Sequence, residues 1–239
     1  MNYRCVQCGH HIKTLYVQYS PGNIRLMKCQ SCGAVADEYI ECEIMILLID
    51  LILHKAKAYR HLFYNMFDRE AINFEGLMWK LTFGFLLLDA YRISILVTNE
   101  EGWVLDPSLT SLIWGCGKIL LDTLVGNLLF ISILLLGTRS LLNMSSEVSG
   151  YKNVWLAILA SSYLKLFLIT MMVWEFPSSV IFILDIFVLS SNTLALHVMS
   201  ESAMGKCFGV CFCGHFVKFV VSLALNIHHP SLIKRVVAL

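Results

Sequence analysis

Five long apolar segments fill the C-terminal two thirds of this chain of 239 residues, and they constrain its fold more than any other feature. Each is 18 to 26 residues long, the length of an α-helix that crosses about 30 Å of hydrocarbon. None alternates apolar and polar residues with a period of two, so helices are favoured over a β-barrel. The sequence predicts an all-α polytopic transmembrane bundle with four or five spanning helices, drawn from segments 77–97, 112–137, 154–174, 180–199 and 208–225.

Composition and charge narrow the class of protein. Charged residues make up 15% of the chain, against about 25% in soluble domains, and apolar residues make up 57%. This balance excludes a single soluble globular domain. The formal net charge of +1 excludes a nucleic-acid-binding protein that relies on a basic surface. We predict three parts in order: a head at 1–43, an amphipathic or interfacial helical linker at 44–76, and a transmembrane region at 77–239.

Two Cys-x2-Cys-Gly motifs define the polar head. Two thiolates can share one metal ion only where the chain turns tightly, and a glycine after the second cysteine tolerates the positive φ that such a turn favours. Two motifs together supply four sulfur ligands at the tetrahedral positions of Zn²⁺, about 2.3 Å from the ion. We predict a structural zinc site, with no ligand position left open for catalysis, formed by Cys5, Cys8, Cys29 and Cys32.

The twenty residues between the two motifs favour a small β-rich zinc ribbon. Strands are predicted at 14–19 and 24–28, joined by a Ser-Pro-Gly-Asn turn at 20–23. A head of about 40 residues has too small a core to fold unaided, so metal binding is expected to supply much of its folding free energy. Two disulfides are the alternative. No apolar run follows the first residues, so a cleavable signal peptide is not expected and a reducing compartment is favoured.

A short apolar run at 44–53 lies between an acidic stretch at 36–43 and a basic stretch at 54–61. Ten residues are too few to span a bilayer. Acidic residues before a helix and basic residues after it suit the helix dipole. We predict a helix that either packs on the ribbon or on other helices, or lies in the cytosolic membrane interface with its basic end on anionic headgroups.

Several charged residues fall inside the apolar segments, where each costs about 2.5–3.5 kcal/mol on insertion scales. Some are spaced so that they can neutralise one another, along one helix or between neighbouring segments. Either they only form ion pairs and helix contacts, or they line a polar path for a lipid headgroup or a sterol hydroxyl. The predicted pairs are Lys118–Asp122, Asp89–Arg92 and Lys165–Asp185.

Loop charges predict a cytosolic head. Residues 54–70 are rich in Lys and Arg, whereas 98–111 contains acidic residues and no Lys or Arg, which suits the lumen. The next loop contains basic residues at 139 and 152, which predicts that it lies in the cytosol. The glycosylation acceptor sequence at 143–145 is therefore expected to carry no glycan. Five crossings would place Lys234 and Arg235 in the lumen, against the rule, so either one segment does not cross or the tail is an exception.

The N-terminal part of the chain resembles a known family. The likeness rests on both cysteine motifs, on Ala-Asp-Glu-Tyr-Ile-Glu at 36–41, on Ala-Tyr-Arg-His-Leu at 58–62, and on Asn65. Together these are similar to the N-terminal homology domain of the Arv family, endoplasmic-reticulum membrane proteins of sterol and lipid homeostasis. The likeness covers residues 1–66, and the remainder resembles the family only as a set of apolar segments.

This resemblance implies a zinc motif on the four cysteines. It also implies a multi-pass protein of the endoplasmic-reticulum membrane that moves or distributes sterols, with effects on sphingolipids and on synthesis of the glycosylphosphatidylinositol (GPI) anchor. Membrane lipids, sterol above all, are the expected partners.

Motifs of catalysis are missing from the sequence, which has no P-loop, GxSxG, HExxH or Rossmann fingerprint, and no catalytic residue is predicted. The first hypothesis is therefore a non-enzymatic protein of sterol transport and lipid homeostasis. The alternative is a scaffold or accessory subunit of an endoplasmic-reticulum lipid-modifying complex, such as the transferase that initiates GPI-anchor synthesis. A third is a membrane enzyme that uses a lone aspartate, such as Asp122 or Asp185.

Overall fold

The computed structural model of the protein describes residues 3–66, 74–98, 109–141, 148–174, 177 and 179–226. These residues are mostly helical, with a small β-containing head at the N-terminus. The predicted order of a small β head followed by a helical region is confirmed. The identity of the head as a zinc ribbon stays a prediction.

The head contains two short antiparallel hairpins. In the first, β1 (Tyr3–Arg4) pairs with β2 (His11–Ile12); in the second, β3 (Tyr16–Ser20) pairs with β4 (Asn23–Leu26). The turn of the second hairpin contains Gly22 at φ +83°, a conformation that glycine adopts without steric cost. The predicted strands are therefore present. Each loses two residues at its outer end and gains one residue of the predicted turn, Ser20 in β3 and Asn23 in β4, which leaves Pro21 and Gly22 between the strands.

Two short helices follow the head. Helix α1 spans Ile44–Ile52, and helix α2 spans Ala56–Arg60 and continues into a wide π-type turn, His61–Met66. The helices that follow are α3 (Phe74–Thr98), α4 (Leu109–Leu141), α5 (Val148–Ser161), α6 (Phe167–Val173), α7 (Ser179–Ser200) and α8 (Met204–Asn226). A 3₁₀ turn, Ser162–Leu166, joins α5 to α6, so these two form one helical path.

The long helices run alternately toward and away from the head. Gly137, near the end of α4, lies against Val210, near the start of α8, and Gly126 lies beside Lys218 further along both helices. Ser161 at the end of α5 bonds to Asn192 in the middle of α7. The end of α4, the end of α7 and the start of α8 therefore lie at the same end of the bundle.

Three of the described helices are long and apolar enough to cross a membrane: Ile113–Leu141, Ser179–Ser200 and Met204–Ala224. Helix α3 carries three charged residues in its apolar region, and the α5–α6 path is interrupted by its 3₁₀ turn. The chain is therefore a multi-pass membrane protein. The crossings by α3 and by α5–α6 stay predictions.

The head and the helices share one apolar core. Val6 and Tyr39 of the head, Tyr59 of α2, Ala157 of α5 and Leu194 of α7 belong to the same buried cluster. Tyr59 is fully buried and its hydroxyl lies 2.7 Å from Ser191 Oγ. The head is thus packed along the side of α5 and α7, through contacts that include buried hydrogen bonds.

Candidate metal centre and its attachment to the helices

The two cysteine motifs form two matching backbone turns. The Gly9 N–H donates to Cys5 O, and the Gly33 N–H donates to Cys29 O, both at 2.9 Å. Both glycines have positive φ, +79° and +72°, as the motif predicts. Cys5 and Cys29 are buried, whereas Cys8 and Cys32 lie at the surface. Each turn therefore presents one inner and one outer sulfur to a common point.

The four sulfur atoms converge. Cys5 Sγ lies 3.7 Å from Cys32 Sγ, Cys8 Sγ lies 3.6 Å from Cys29 Sγ, and all four lie within 4.8 Å of one another. Four ligands placed tetrahedrally at about 2.3 Å from a zinc ion stand about 3.8 Å apart. These separations match that geometry and are far longer than the ~2.05 Å of a disulfide bond. The four cysteines are free in this structure, and the site can hold a metal ion.

The surroundings of the two buried thiols differ. Burial raises the pKa of the Cys5 thiol to about 12. Hydrogen bonds from backbone N–H groups, that of Cys32 first, lower the pKa of the Cys29 thiol to about 6. The turn around Cys29 is thus already arranged to stabilise a thiolate, which is the form that binds a metal.

A buried carboxylate joins the head to the helix that follows it. Asp37 is fully buried, and its Oδ1 accepts a hydrogen bond of 3.0 Å from the Tyr39 N–H. Its Oδ2 accepts hydrogen bonds from His61 Nδ1 at 2.7 Å and from Asn65 Nδ2 at 2.6 Å. The side-chain amide of Asn65 also accepts from the Arg4 N–H and donates to Arg4 O, each at 3.0 Å. The carboxylate therefore joins its own segment to the turn after α2, and Asn65 extends this network to β1.

The first cysteine turn is held from outside by Arg60. Its Nη1 donates to Val6 O at 2.9 Å and to Gln7 O at 3.0 Å, inside the turn between Cys5 and Cys8. The turn that carries half of the sulfur cluster thus depends on helix α2 for its position.

The sequence motifs contain Asp37, Arg60, His61 and Asn65, but they do not predict that these residues contact one another or the first cysteine turn. The signal for one of these contacts is the spacing of four between His61 and Asn65, which places both on one side of a helical turn. Their common partner, Asp37, lies 24 and 28 residues away along the chain and has no such signal.

Helix α1 leaves most of its apolar side chains exposed. Leu47 and Leu51 are buried in the core shared with α7. Asp50 accepts hydrogen bonds from the Tyr39 hydroxyl at 2.8 Å and from Lys55 Nζ at 2.7 Å, and the Lys55 hydrogen bond lowers the pKa of Asp50. The exposed apolar residues of α1 and its C-cap are Ile44, Met45, Ile46, Leu48, Ile49, Ile52 and Leu53.

Helix α1 ends beside the middle of α7 and not at its end. The ring of His54 stacks on that of Phe187, with 6.0 Å between centroids. Phe187 precedes Ser200 by 13 residues, or about 20 Å along a helix. The predicted packing on the helices is therefore observed for one face of α1. Contact of its other face with a membrane interface stays a prediction.

The charged residues inside the helices form ion pairs other than the predicted ones. Asp89 pairs with Lys165 and Lys218, and not with Arg92. Arg92 instead pairs with Asp185, which had been assigned to Lys165. Packing brings α3, α5–α6, α7 and α8 together at this level, and it offers each charge a closer partner than its own helix does.

Lys118 and Asp122 also differ from the prediction, since no ion pair joins them among the described contacts. Asp122 is buried, and its Oδ2 has no hydrogen-bond partner in the described part of the chain. The acceptor sequence at 143–145 and the acidic residues of the 99–108 loop lie outside the described residues.

Comparison with known proteins finds relatives along most of the chain. The model of the Arv1-like family matches residues 4–196. Protein ARV 1 of Arabidopsis thaliana is 50% identical over 221 residues, which cover 92% of this chain and 87% of the relative. Protein ARV 2 of the same plant is 48% identical over 217 residues, covering 91% and 92%. Protein ARV1 of Homo sapiens is 32% identical over 201 residues, covering 82% and 72%.

The likeness therefore extends well beyond residues 1–66, where the sequence motifs had placed it, and includes most of the helical region. No solved structure matches the chain.

Proposed function

Because the chain belongs to the Arv1-like family, we propose that it is a non-enzymatic protein of the endoplasmic-reticulum membrane that distributes sterols and maintains sterol and sphingolipid levels. Its head faces the cytosol and is held together by one structural Zn²⁺ on Cys5, Cys8, Cys29 and Cys32. Family membership and the convergence of the four sulfur atoms support this proposal.

The observation that carries the proposal is the position of helix α1. A polar head held by metal would suffice for a soluble domain, but this head also carries an apolar helix whose outer face has no partner among the described residues. Leu47 and Leu51 of α1 belong to the same buried cluster as Leu194 of α7, and His54, just after α1, stacks on Phe187 of α7. Helix α7 is long and apolar enough to span a bilayer. An apolar face in this place suits lipid contact, so the cytosolic head reaches the molecules that it distributes.

The test uses the full-length protein in vesicles that contain a photoreactive sterol. We expect labelling above that of an unrelated membrane protein of similar size. Ile49→Glu places a charge on the exposed face of α1 and should reduce labelling several-fold, since a charged side chain partitions poorly into the bilayer. Val17→Glu on β3, which is similarly exposed in the head, is the matched control and should leave labelling unchanged.

Two results would contradict the proposal: absence of specific sterol labelling, or equal labelling of the Ile49→Glu and unchanged proteins. Hydrolysis or group transfer by the purified protein on a lipid substrate would contradict its non-enzymatic part.

A second candidate function is that of a scaffold for an endoplasmic-reticulum lipid-modifying complex, such as the transferase that initiates GPI-anchor synthesis. It is favoured by the outer hairpin of the head, in which all five residues of β3 are exposed, including Tyr16, Val17 and Tyr19. Exposed aromatic residues on a small rigid element are typical of protein contacts. Purification in mild detergent tests it, because Tyr19→Ser should then remove associated proteins without reducing sterol labelling.

A further inference from the structure

A cavity of about 150 Å³ lies within the helical bundle, between α3, α4, the α5–α6 path, α7 and α8. Its wall is mostly apolar, with Phe85, Phe130 and Ile131 among the lining residues. The polar side chains that line the cavity include Asn127, Ser162, Lys165, Asn192, His215 and Lys218.

The charges on this wall do not balance. Lys165 Nζ and Lys218 Nζ lie 3.0 and 2.7 Å from the two carboxylate oxygens of the same residue, Asp89. Within the described structure, neither lysine has a second carboxylate in ion-pair contact. Arg92, the next cation in this region, is already paired with Asp185. Two ammonium groups that are largely buried thus share one carboxylate, which leaves one positive charge uncompensated.

The cavity wall also has a hydrogen-bond donor that lacks an acceptor. Trp155 lines the cavity, and its Nε1–H is buried with no acceptor in the described part of the chain. The polar acceptors are engaged, because Asn127 Oδ1 accepts from Lys218 at 2.7 Å and Asn192 Oδ1 accepts from Ser161 at 2.6 Å. The wall therefore has spare donors and a spare positive charge, and lacks a matching acceptor.

We propose that this cavity binds the anionic oxygen group, carboxylate or phosphate, of a membrane amphiphile. A buried ammonium group without a counter-charge is costly in a bilayer, and an anionic oxygen group that contacts Lys218 removes that cost. The same group accepts the hydrogen bond that Trp155 Nε1 otherwise lacks. This inference goes beyond the proposed function, because a sterol is neutral and carries a single hydroxyl group.

The size of the cavity limits what it encloses. Cavities of about 150 Å³ hold a molecule the size of benzene, so this one holds a headgroup with a few carbon atoms and not a four-ring sterol. The chain of the ligand must therefore leave the cavity. Leu124 and Leu128 of α4 line the cavity and are also exposed on the outer surface of the bundle, which places an apolar exit toward lipid on this side.

The experiment uses the full-length protein in nanodiscs of phosphatidylcholine, whose headgroup has no net charge. Two photoreactive probes are added separately, a diazirine derivative of oleic acid and one of phosphatidylglycerol, and oleyl alcohol serves as the neutral competitor. We expect saturable labelling by at least one anionic probe, and no competition by the alcohol. Labelling by the fatty acid alone identifies a carboxylate ligand, labelling by the phospholipid alone identifies a phosphate ligand, and labelling by both means that the site takes either.

Two variants and a control locate the binding. Lys218→Met keeps the length of the side chain and removes its charge, so binding of the anionic probe should weaken about tenfold or more. Trp155→Phe keeps a ring and removes the donor, and should weaken binding about threefold. Lys206→Met removes an exposed charge from the start of the same helix as Lys218 and should change nothing.

The proposal is overturned if oleyl alcohol competes as well as oleic acid, if neither anionic probe labels the protein, or if Lys218→Met binds them as tightly as the unchanged protein. Thermal unfolding followed by circular dichroism shows whether Lys218→Met is folded. If it is not, Trp155→Phe decides, and unchanged binding by that variant overturns the proposal.

Discussion

Asp37 is the residue on which most of the connections of the head depend. Its carboxylate is fully buried and accepts hydrogen bonds from Tyr39, His61 and Asn65. Two of these donors belong to the helical turn after α2, which packs on α7. A single side chain thereby links the segment after the cysteine turns to the membrane helices.

Replacement of Asp37 by alanine should destabilise the protein by about 3–5 kcal/mol, because three buried donors lose their common acceptor. Thermal unfolding in detergent, followed by circular dichroism, measures the effect. Glu41→Ala is the control, since Glu41 is acidic, nearby and exposed. Equal melting temperatures for the two variants would show that the network contributes no stability.

The sulfur cluster makes a second prediction at the scale of single residues. The purified full-length chain should contain about one zinc ion per molecule, measured by mass spectrometry of the metal. Cys29→Ser should remove it, because one of four tetrahedral ligands is lost. Cys213→Ser changes an exposed cysteine on α8 and should retain the metal. Loss of metal from both variants, or from neither, would contradict the assignment of the site.

Among the elements, α4 and α8 pack most closely, and glycines allow it. A Cβ atom on Gly137 would lie 2.6 Å from Val210 Cγ1, and one on Gly214 would lie 3.0 Å from Phe130 Cδ2. Small residues at such positions let two helix backbones approach each other, which is how helices commonly associate in membranes. The cavity next to this contact depends on it, because Phe130 and Lys218 line the cavity and belong to these two helices.

Gly137→Ala should therefore destabilise the bundle by about 1–3 kcal/mol, since the stiff side chain of Val210 must move. Gly117→Ala is on the same helix with nothing within 4 Å of its added Cβ, and it should be neutral or stabilising by up to about 1 kcal/mol. Equilibrium unfolding in mixed detergents compares the two. A ranking in the opposite order would rule out the close contact of α4 and α8.

The 3₁₀ turn between α5 and α6 is a second feature at this scale. The apolar pattern of 154–174 predicts one continuous helix, but the helix changes form at Ser162–Leu166. Ser161 O there accepts a hydrogen bond of 2.7 Å from the Ser191 hydroxyl, and Lys165 leaves the turn toward Asp89. A change from α-helix to 3₁₀ helix leaves some backbone carbonyl groups without their usual α-helical partner. The Ser191 hydroxyl of α7 supplies a hydrogen bond to one of them.

At the scale of the whole molecule, the alternating directions of the long helices determine at which end of the bundle each helix begins and ends. The ends of α4 and α7 and the start of α8 are all at the end of the bundle near Arg4, which pairs with Glu201 between α7 and α8. Helix α8 runs away from that end. If α3 and α5–α6 cross as well, the chain makes five crossings, and its two termini lie on opposite sides of the membrane.

We therefore expect an N-terminal tag to react with antibody after digitonin opens the plasma membrane alone, and a C-terminal tag to react only after all membranes are opened. Fluorescence microscopy of cells that express each tagged protein makes the measurement. Reaction of both tags after digitonin would mean an even number of crossings, and would favour the charge rule for Lys234 and Arg235 over the five-helix arrangement.

The local features of this protein follow from its sequence by itself. The two cysteine turns, the β3–β4 hairpin, helix α1 and the positions of the apolar helices depend on spacing, turn residues and length, each of which acts over a few residues. Each half of the sulfur cluster was predictable for the same reason, because each Cys-x2-Cys turn is complete within five residues.

Only the tertiary structure decided which distant residues meet. The role of Asp37, the sharing of Asp89 by Lys165 and Lys218, and the cavity beside them depend on how separate helices pack, and residues 24 to 129 positions apart become neighbours there. Spacing along one helix predicts only the partners on that helix. In a bilayer, where water is absent, a buried charge takes the partner that packing brings closest.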